Sequence, residues 1–79
     1  MVNTELLEER INGSGLMNNY IAKQCSITPQ ALRRKILGKN EFTASQILVI
    51  SKLLGLTWAE VRRIFFAENV SKTETKGET

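Results

Sequence analysis

The sequence has no histidine, no aspartate and only one cysteine, and these absences exclude several kinds of chemistry. Without histidine and aspartate, one chain cannot assemble a Ser-His-Asp triad, and its cysteine has no histidine to activate it. A zinc site built from cysteine and histidine is excluded for the same reason. We therefore expect no catalysis, no metal and no cofactor, and we expect Cys25 to be a small buried hydrophobe rather than a reactive thiol.

Long apolar segments and targeting signals are missing as well. No run of about 18 apolar residues occurs that would predict a membrane-spanning helix. The first five residues, MVNTE, contain no basic segment of the kind that opens a signal peptide. A single cysteine permits no disulfide within the chain, which is typical of a reducing compartment. The sequence therefore predicts a cytoplasmic protein without a membrane partner.

The 11 basic and 8 acidic residues give a net charge of +3, but the two signs are unevenly distributed. Residues 4–11 hold three glutamates and one arginine, whereas residues 17–40 hold five basic residues and no acidic residue. Such a basic segment favours nucleic acid as a partner, and the alternative is a solvated charged helix face. At 79 residues the chain predicts one domain, at 1–70, followed by a disordered polar tail at 71–79.

Apolar periodicity and capping signals predict an all-α fold with helices at about 4–12, 18–25, 29–37, 44–54 and 58–68. Thr4 is the predicted cap of the first helix, and residues 13–15 are predicted to end it. Thr43 and Thr57 are each followed three residues later by glutamine or glutamate, which predicts two capping boxes. Phe42, in the loop before the fourth helix, is expected to pack in the core.

The segment 18–38 predicts two short helices joined by a tight turn. Apolar residues recur at helical spacing before and after this turn, at Ile21, Ala22, Cys25, Leu32 and Ile36. Thr28 is a favourable cap for the second of these helices, and Pro29 suits its first position. Gly38 can adopt the left-handed conformation that ends a helix. Two narrow apolar faces this close in sequence are expected to pack against each other.

The segment NNYIAKQCSITPQALRRKILG resembles the helix-turn-helix of phage Cro and cI-type repressors. Asn18 falls on the first position of that motif, Ala22 on the small residue where the helices cross, and Leu32 on the buried anchor. Ser26 falls on the turn glycine. The similarity continues through GKNEFTASQILVISKLLGLTWAEV and covers about residues 4–68. It implies a compact five-helix lambda-repressor-like DNA-binding domain with a helix-turn-helix.

Three positions depart from the pattern of that family. Met17 stands where a serine or threonine usually caps the second helix, so the cap is expected to move to Asn18. Ser26 places a residue with a Cβ atom where a positive φ is expected. Lys35 takes a usually apolar position, and Ile36 supplies the apolar side chain one residue later. This shift rotates the end of the buried face by about 100°.

On the helix predicted at 29–37, Gln30 and Arg34 point away from the buried side chains, and both can form bidentate hydrogen bonds with base edges. Arg33 belongs to the same base-reading set, although the rotated apolar face leaves open which arginine faces the groove floor and which faces phosphate. The rotation also leaves Leu37 open between a core contact and a contact with a thymine methyl. The candidate phosphate contacts are Asn18, Asn19, Thr28, Lys35, Lys39 and Asn40.

The last two predicted helices are more apolar than one buried face requires, and Leu48 is one of the surplus residues. Ile64, Phe65 and Phe66 are the candidate dimer or partner surface, because surplus apolar surface usually marks an interaction site. The alternative is a larger core that encloses Trp58 and the phenylalanines.

The resemblance implies a sequence-specific regulator of the phage or prophage kind that binds double-stranded DNA in a bacterial cell. Its helix at 29–37 is expected to occupy an operator and to exclude polymerase or a rival repressor. We expect a homodimer, because a single short recognition helix reads few base pairs. The alternative from a different class is a protein-interaction module on the same scaffold, which binds and modulates a partner repressor. An enzyme is poorly supported, since the residues for acid-base and nucleophilic catalysis are missing.

Overall fold

The computed structural model describes residues 2–66, and this part of the chain contains five α-helices and no strand. The helices are α1 (Thr4–Ser14), α2 (Asn18–Gln24), α3 (Pro29–Ile36), α4 (Ala44–Leu54) and α5 (Trp58–Phe65). The predicted all-α class is confirmed. None of these five helices has the length and the apolar composition needed to cross a membrane. The predicted continuation of the last helix to 68, the domain end at 70 and the tail at 71–79 lie outside the described residues.

One apolar core takes side chains from all five helices. α1 packs against α3, α4 and α5, while α2 packs against α3 and α4. Phe42 packs edge-on against Phe65, with ring centroids 5.2 Å apart, and so joins the loop before α4 to the core as predicted. No polar or charged side chain within residues 2–66 is buried. The buried residues are Leu7, Ile11, Ile21, Ala22, Cys25, Leu32, Ile36, Ile50, Val61, Ile64 and Phe65.

Threonine side chains cap α3, α4 and α5. Thr28, Thr43 and Thr57 each accept a hydrogen bond from the backbone N–H three residues later. In α4 and α5, Gln46 and Glu60 accept in return from the threonine N–H, and this completes both predicted capping boxes. These local contacts determine where each helix begins. The register of the exposed residues on α3 therefore follows from Thr28.

The first helix is capped by Asn3 and not, as predicted, by Thr4. The backbone of Asn3 is extended, which lets its side-chain oxygen accept a hydrogen bond from the N–H of Leu6 at 3.1 Å. Thr4 is already helical, and its hydroxyl donates instead to the carbonyl of Ile36 at 2.6 Å. The N–H of Asn3 donates to the carbonyl of Ile64 at 2.6 Å. The start of the described chain is thus bonded to the ends of α3 and α5.

The connection between α1 and α2 also differs from the prediction. α1 continues through Ser14 and ends where Gly15 adopts a left-handed φ of 78°. Met17 occupies the cap position of α2 with an extended backbone and no side-chain hydrogen bond, and Asn18 is already the first helical residue. The predicted move of the cap to Asn18 is therefore wrong. The half-buried Leu16 packs on the core and so sets the path of the chain into α2.

Ser26 forms the turn between α2 and α3 in the left-handed conformation, with a φ of 61°, as predicted. Its N–H donates to the carbonyl of Lys23, and the N–H of Ile27 donates to the carbonyl of Ala22, both at 3.0 Å. This pair of bonds is the Schellman ending of a helix, in which glycine is the usual left-handed residue. The turn at 25–28 lets α3 pack directly against α2.

Candidate nucleic-acid interface

The helix α3 has one buried side and one exposed side. Leu32 and Ile36 are buried in the core. Gln30 and Arg34 lie one turn apart and are exposed, as predicted. Leu37 follows the helix and is also exposed, so of its two possible roles the core contact is excluded. Because glutamine and arginine recognise base edges with paired hydrogen bonds, the exposed side of α3 has the chemistry of a base-reading surface.

Arg33 is directed toward α1. Its Nη1 atom donates to Oε2 of Glu8 at 2.9 Å, in a charged hydrogen bond between the two helices. Both side chains remain partly exposed, 55% for Arg33 and 37% for Glu8. Arg33 thus lies beside the surface that carries Gln30 and Arg34. Of the two roles left open for Arg33, this position favours a phosphate contact over base reading.

Lys35 binds the loop that follows α3. Its ammonium group donates to the carbonyl of Glu41 at 2.8 Å, and the loop begins at Gly38, which adopts a φ of 85° as predicted. Lys35 also acts on Cys25, since burial raises the pKa of this thiol and the lysine charge partly offsets the rise. Cys25 is buried, as predicted, and its thiol stays protonated at neutral pH. The phosphate contact of Lys35 stays a prediction.

The other candidate phosphate contacts lie at helix ends. Asn18 and Asn19 are exposed in the first turn of α2, and Thr28 is exposed at the cap of α3. Lys39 and Asn40 are exposed directly after α3, where the N–H of Lys39 donates to the helix carbonyl five residues back at 2.9 Å. All five residues are exposed to solvent, and their contact with phosphate stays a prediction.

The predicted dimer or partner surface on the last helix is wrong for two of its three residues. Ile64 and Phe65 are buried, because α5 turns this face toward α1 and toward the ring of Phe42. Phe66 remains partly exposed. The alternative, a core that also encloses Trp58, is wrong as well, since Trp58 is 71% exposed.

An apolar groove between α4 and α5 was not predicted. It has a volume of about 720 Å³, and Leu48 and Trp58 are its most exposed large apolar side chains. Its other apolar lining includes Ile47, Leu56, Val61 and Phe66. The sequence signal for this α4–α5 groove is an apolar residue outside the buried stripe of α4, followed by a tryptophan at the first position of α5.

Charged groups of the described residues form two ion pairs and no metal site. Arg10 pairs with Glu60, and Arg33 pairs with Glu8. The N–H of Thr57 holds the pKa of Glu60 below its usual value, and the charge of Arg10 adds to this effect. Within residues 2–66, no three His, Cys, Asp or Glu side chains lie close enough together to hold a metal ion.

Comparison of the chain with protein-family models, with curated proteins and with solved structures gave no significant match.

Proposed function

We propose that this protein is a sequence-specific regulator that binds double-stranded DNA through a helix-turn-helix formed by α2 and α3. The observation that carries the proposal is the two-sided character of α3, in which Leu32 and Ile36 are buried while Gln30 and Arg34 are exposed. The major groove of B-DNA admits an α-helix, and both exposed side chains are suited to bidentate contacts with base edges. Each such contact contributes about 1 to 3 kcal/mol of discrimination between bases.

Residues beside this surface are proposed to hold phosphate. Lys39 and Asn40 follow α3, and Asn18 and Asn19 begin α2. Contacts of this kind set the register of the protein on the duplex without reading sequence. The resemblance to phage Cro and cI-type repressors supports a role in which the protein occupies an operator in the cytoplasm of a bacterial cell. Exclusion of polymerase or of a rival regulator is then the whole mechanism, and no catalytic step is part of it.

We assign a homodimer contact to the α4–α5 groove. α3 spans only Pro29–Ile36, and one short recognition helix reads few base pairs. Two copies related by a two-fold axis read two half-sites about 34 Å apart. α3 packs mainly on α1 and α2, so the groove and the base-reading surface belong to different helices and can be used together. In a symmetric dimer, Leu48 and Trp58 of each copy are covered by the other copy.

The proposed function is tested by comparing Arg34→Ala with Lys39→Ala. A duplex is selected for binding from a random pool, and the dissociation constants for this duplex and for a random duplex are measured by fluorescence anisotropy at several salt concentrations. We expect Arg34→Ala to reduce the preference for the selected duplex, because a base contact carries sequence information. We expect Lys39→Ala to weaken both duplexes by a similar factor and to lower the salt slope by about one. Arg63→Ala, at an exposed position of α5, controls for the loss of one positive charge.

Two results would contradict the roles of Arg34 in base reading and of Lys39 in phosphate contact. If Lys39→Ala changes the preference while Arg34→Ala leaves it intact, α3 docks in another orientation. If no duplex binds even at low salt, the second candidate replaces the first. That candidate is a protein-interaction module that modulates a partner repressor, and the exposed Leu48 and Trp58 of the α4–α5 groove are the observation in its favour.

A further inference from the structure

An ion pair joins α1 to the helix that is proposed to read DNA. The guanidinium of Arg33 donates to the carboxylate of Glu8 at 2.9 Å, across 25 residues of sequence. Neither side chain is buried, so both are accessible from solvent. Partly exposed ion pairs are weak, and a competing anion can therefore displace one partner.

The pair borders a small polar cavity of about 190 Å³. Asn12 of α1 and Asn18 of α2 line the same cavity. Asn18 is one of the proposed phosphate contacts. The carboxylate of Glu8 thus lies where three helices meet, beside an amide and a guanidinium that both suit a phosphate oxygen.

A carboxylate and a phosphate compete for a guanidinium, because both present oxygen atoms that accept its paired N–H groups. While Glu8 holds Arg33, the positive charge of Arg33 is neutralised within the protein, and it contributes little to the release of counterions from DNA. The negative charge of Glu8 also opposes the approach of the DNA backbone to this edge of α3.

We propose that Glu8 is an internal competitor of DNA phosphate for Arg33 and thereby lowers the affinity of the protein for duplex DNA of any sequence. The inference rests on the proposed function. Phosphates are the same at every base pair, so this competition weakens binding to random DNA and to an operator by a similar factor. Glu8 is thus a positioning residue that limits the total affinity while the sequence preference, which Gln30 and Arg34 supply, is retained.

A double-mutant cycle on the full chain tests this proposal. The proteins are the wild type, Glu8→Gln, Arg33→Gln, the double variant and Glu9→Gln. Glutamine keeps the size of the glutamate side chain and removes its charge. Glu9→Gln is the matched control, because Glu9 is the next residue of α1, is exposed and borders Leu54 of α4 instead of α3. Binding of a random duplex and of the selected duplex is measured by fluorescence anisotropy at several salt concentrations, and urea unfolding of each protein verifies its fold.

We expect Glu8→Gln to tighten binding about three- to fivefold and to steepen the salt slope by about one. Glu9→Gln is expected to tighten binding less than about twofold, as a general charge effect. In the Arg33→Gln background, Glu8→Gln is expected to have no larger effect than Glu9→Gln has in the wild type. The ratio of affinities for a selected and a random duplex should be the same in wild type and Glu8→Gln.

The opposing outcomes are distinct from one another. Equal effects of Glu8→Gln and Glu9→Gln, or a Glu8→Gln effect that persists without Arg33, overturn the competition and leave the proposed function standing. A change of sequence preference in Glu8→Gln likewise overturns the inference, since Arg33 then reads bases. Absence of duplex binding in every protein, with the fold intact, overturns the proposed function and the inference together.

Discussion

Ser26 is the single residue on which the turn between α2 and α3 depends. It is the only residue other than glycine with a positive φ among residues 2–66. Its side chain is exposed, so no packing in the core compensates for the steric cost of a Cβ atom in the left-handed conformation. The two hydrogen bonds of the Schellman ending hold Ser26 in this conformation nonetheless. Some conformational strain is therefore stored beside the proposed DNA-reading helix.

Ser26→Gly is expected to raise the free energy of unfolding by about 0.5 to 1 kcal/mol. Glycine relieves the steric cost of the positive φ, and the gain is partly offset by its greater freedom in the unfolded chain. Ser26→Ala keeps the Cβ atom and is expected to give no increase. Urea denaturation followed by circular dichroism measures both. An equal or lower stability of Ser26→Gly would show that the serine side chain contributes more than its strain costs.

At the scale of helices, the capping boxes determine where α4 and α5 begin. In α5 the capping box also lowers the pKa of Glu60. The N–H of Thr57 and the charge of Arg10 both favour the ionised form of Glu60, and they hold its pKa below about 4.5, the value of an unperturbed glutamate. Because its pKa is lowered in the folded state, Glu60 stabilises the fold above that value. This contribution is lost as the pH falls through the lowered pKa.

Glu60→Gln is therefore expected to be less stable than the wild type at pH 7, and the difference is expected to shrink below about pH 4.5. Glutamine still offers an oxygen to the N–H of Thr57, so the helix retains its cap while the titrating charge and the ion pair with Arg10 are lost. Urea unfolding of both proteins at pH 7 and pH 3 measures the difference. A stability difference that is constant with pH would contradict the assignment.

Local sequence signals predicted the helices and part of the candidate site, whereas contacts between helices were not predictable. The exposure of Gln30 and Arg34 follows from helical periodicity once the start of α3 is known. The pairing of Glu8 with Arg33 depends on how α1 packs on α3, and periodicity contains no information on that. Ile64 was placed on a partner surface because an apolar pattern does not distinguish a face that meets the core from one that meets another molecule.

At the scale of the whole molecule, polar and apolar surfaces are formed by different helices. The exposed side of α3 carries Gln30 and Arg34, whereas the α4–α5 groove exposes Leu48 and Trp58. Large exposed side chains grouped in one groove are typical of an interface rather than of scattered surface hydrophobes. The proposed contacts with DNA and with a second copy therefore lie on different helices.

Trp58→Lys is expected to weaken self-association by about thirtyfold or more, because a tryptophan at the centre of an interface typically contributes about 2 kcal/mol or more. Met17→Lys is the matched control, since Met17 is 72% exposed and Trp58 71%, but Met17 lies outside the groove. Sedimentation equilibrium over a range of concentrations measures the dimer dissociation constant. A monomeric wild type at high concentration, or an equal effect of both substitutions, would contradict the groove as the dimer contact.

The hydrogen bonds made by Asn3 and Thr4 couple the opening of three helices. They connect the start of α1 to Ile36, the last residue of α3, and to Ile64, the penultimate residue of α5. Short helices commonly fray from their ends, but fraying of α3 or α5 here also breaks contacts with α1. Opening at the end of α3 or α5 is therefore expected to be coupled to opening at the start of α1. The end of α3 is therefore ordered before α3 contacts a partner. It has little conformational entropy left to lose on binding.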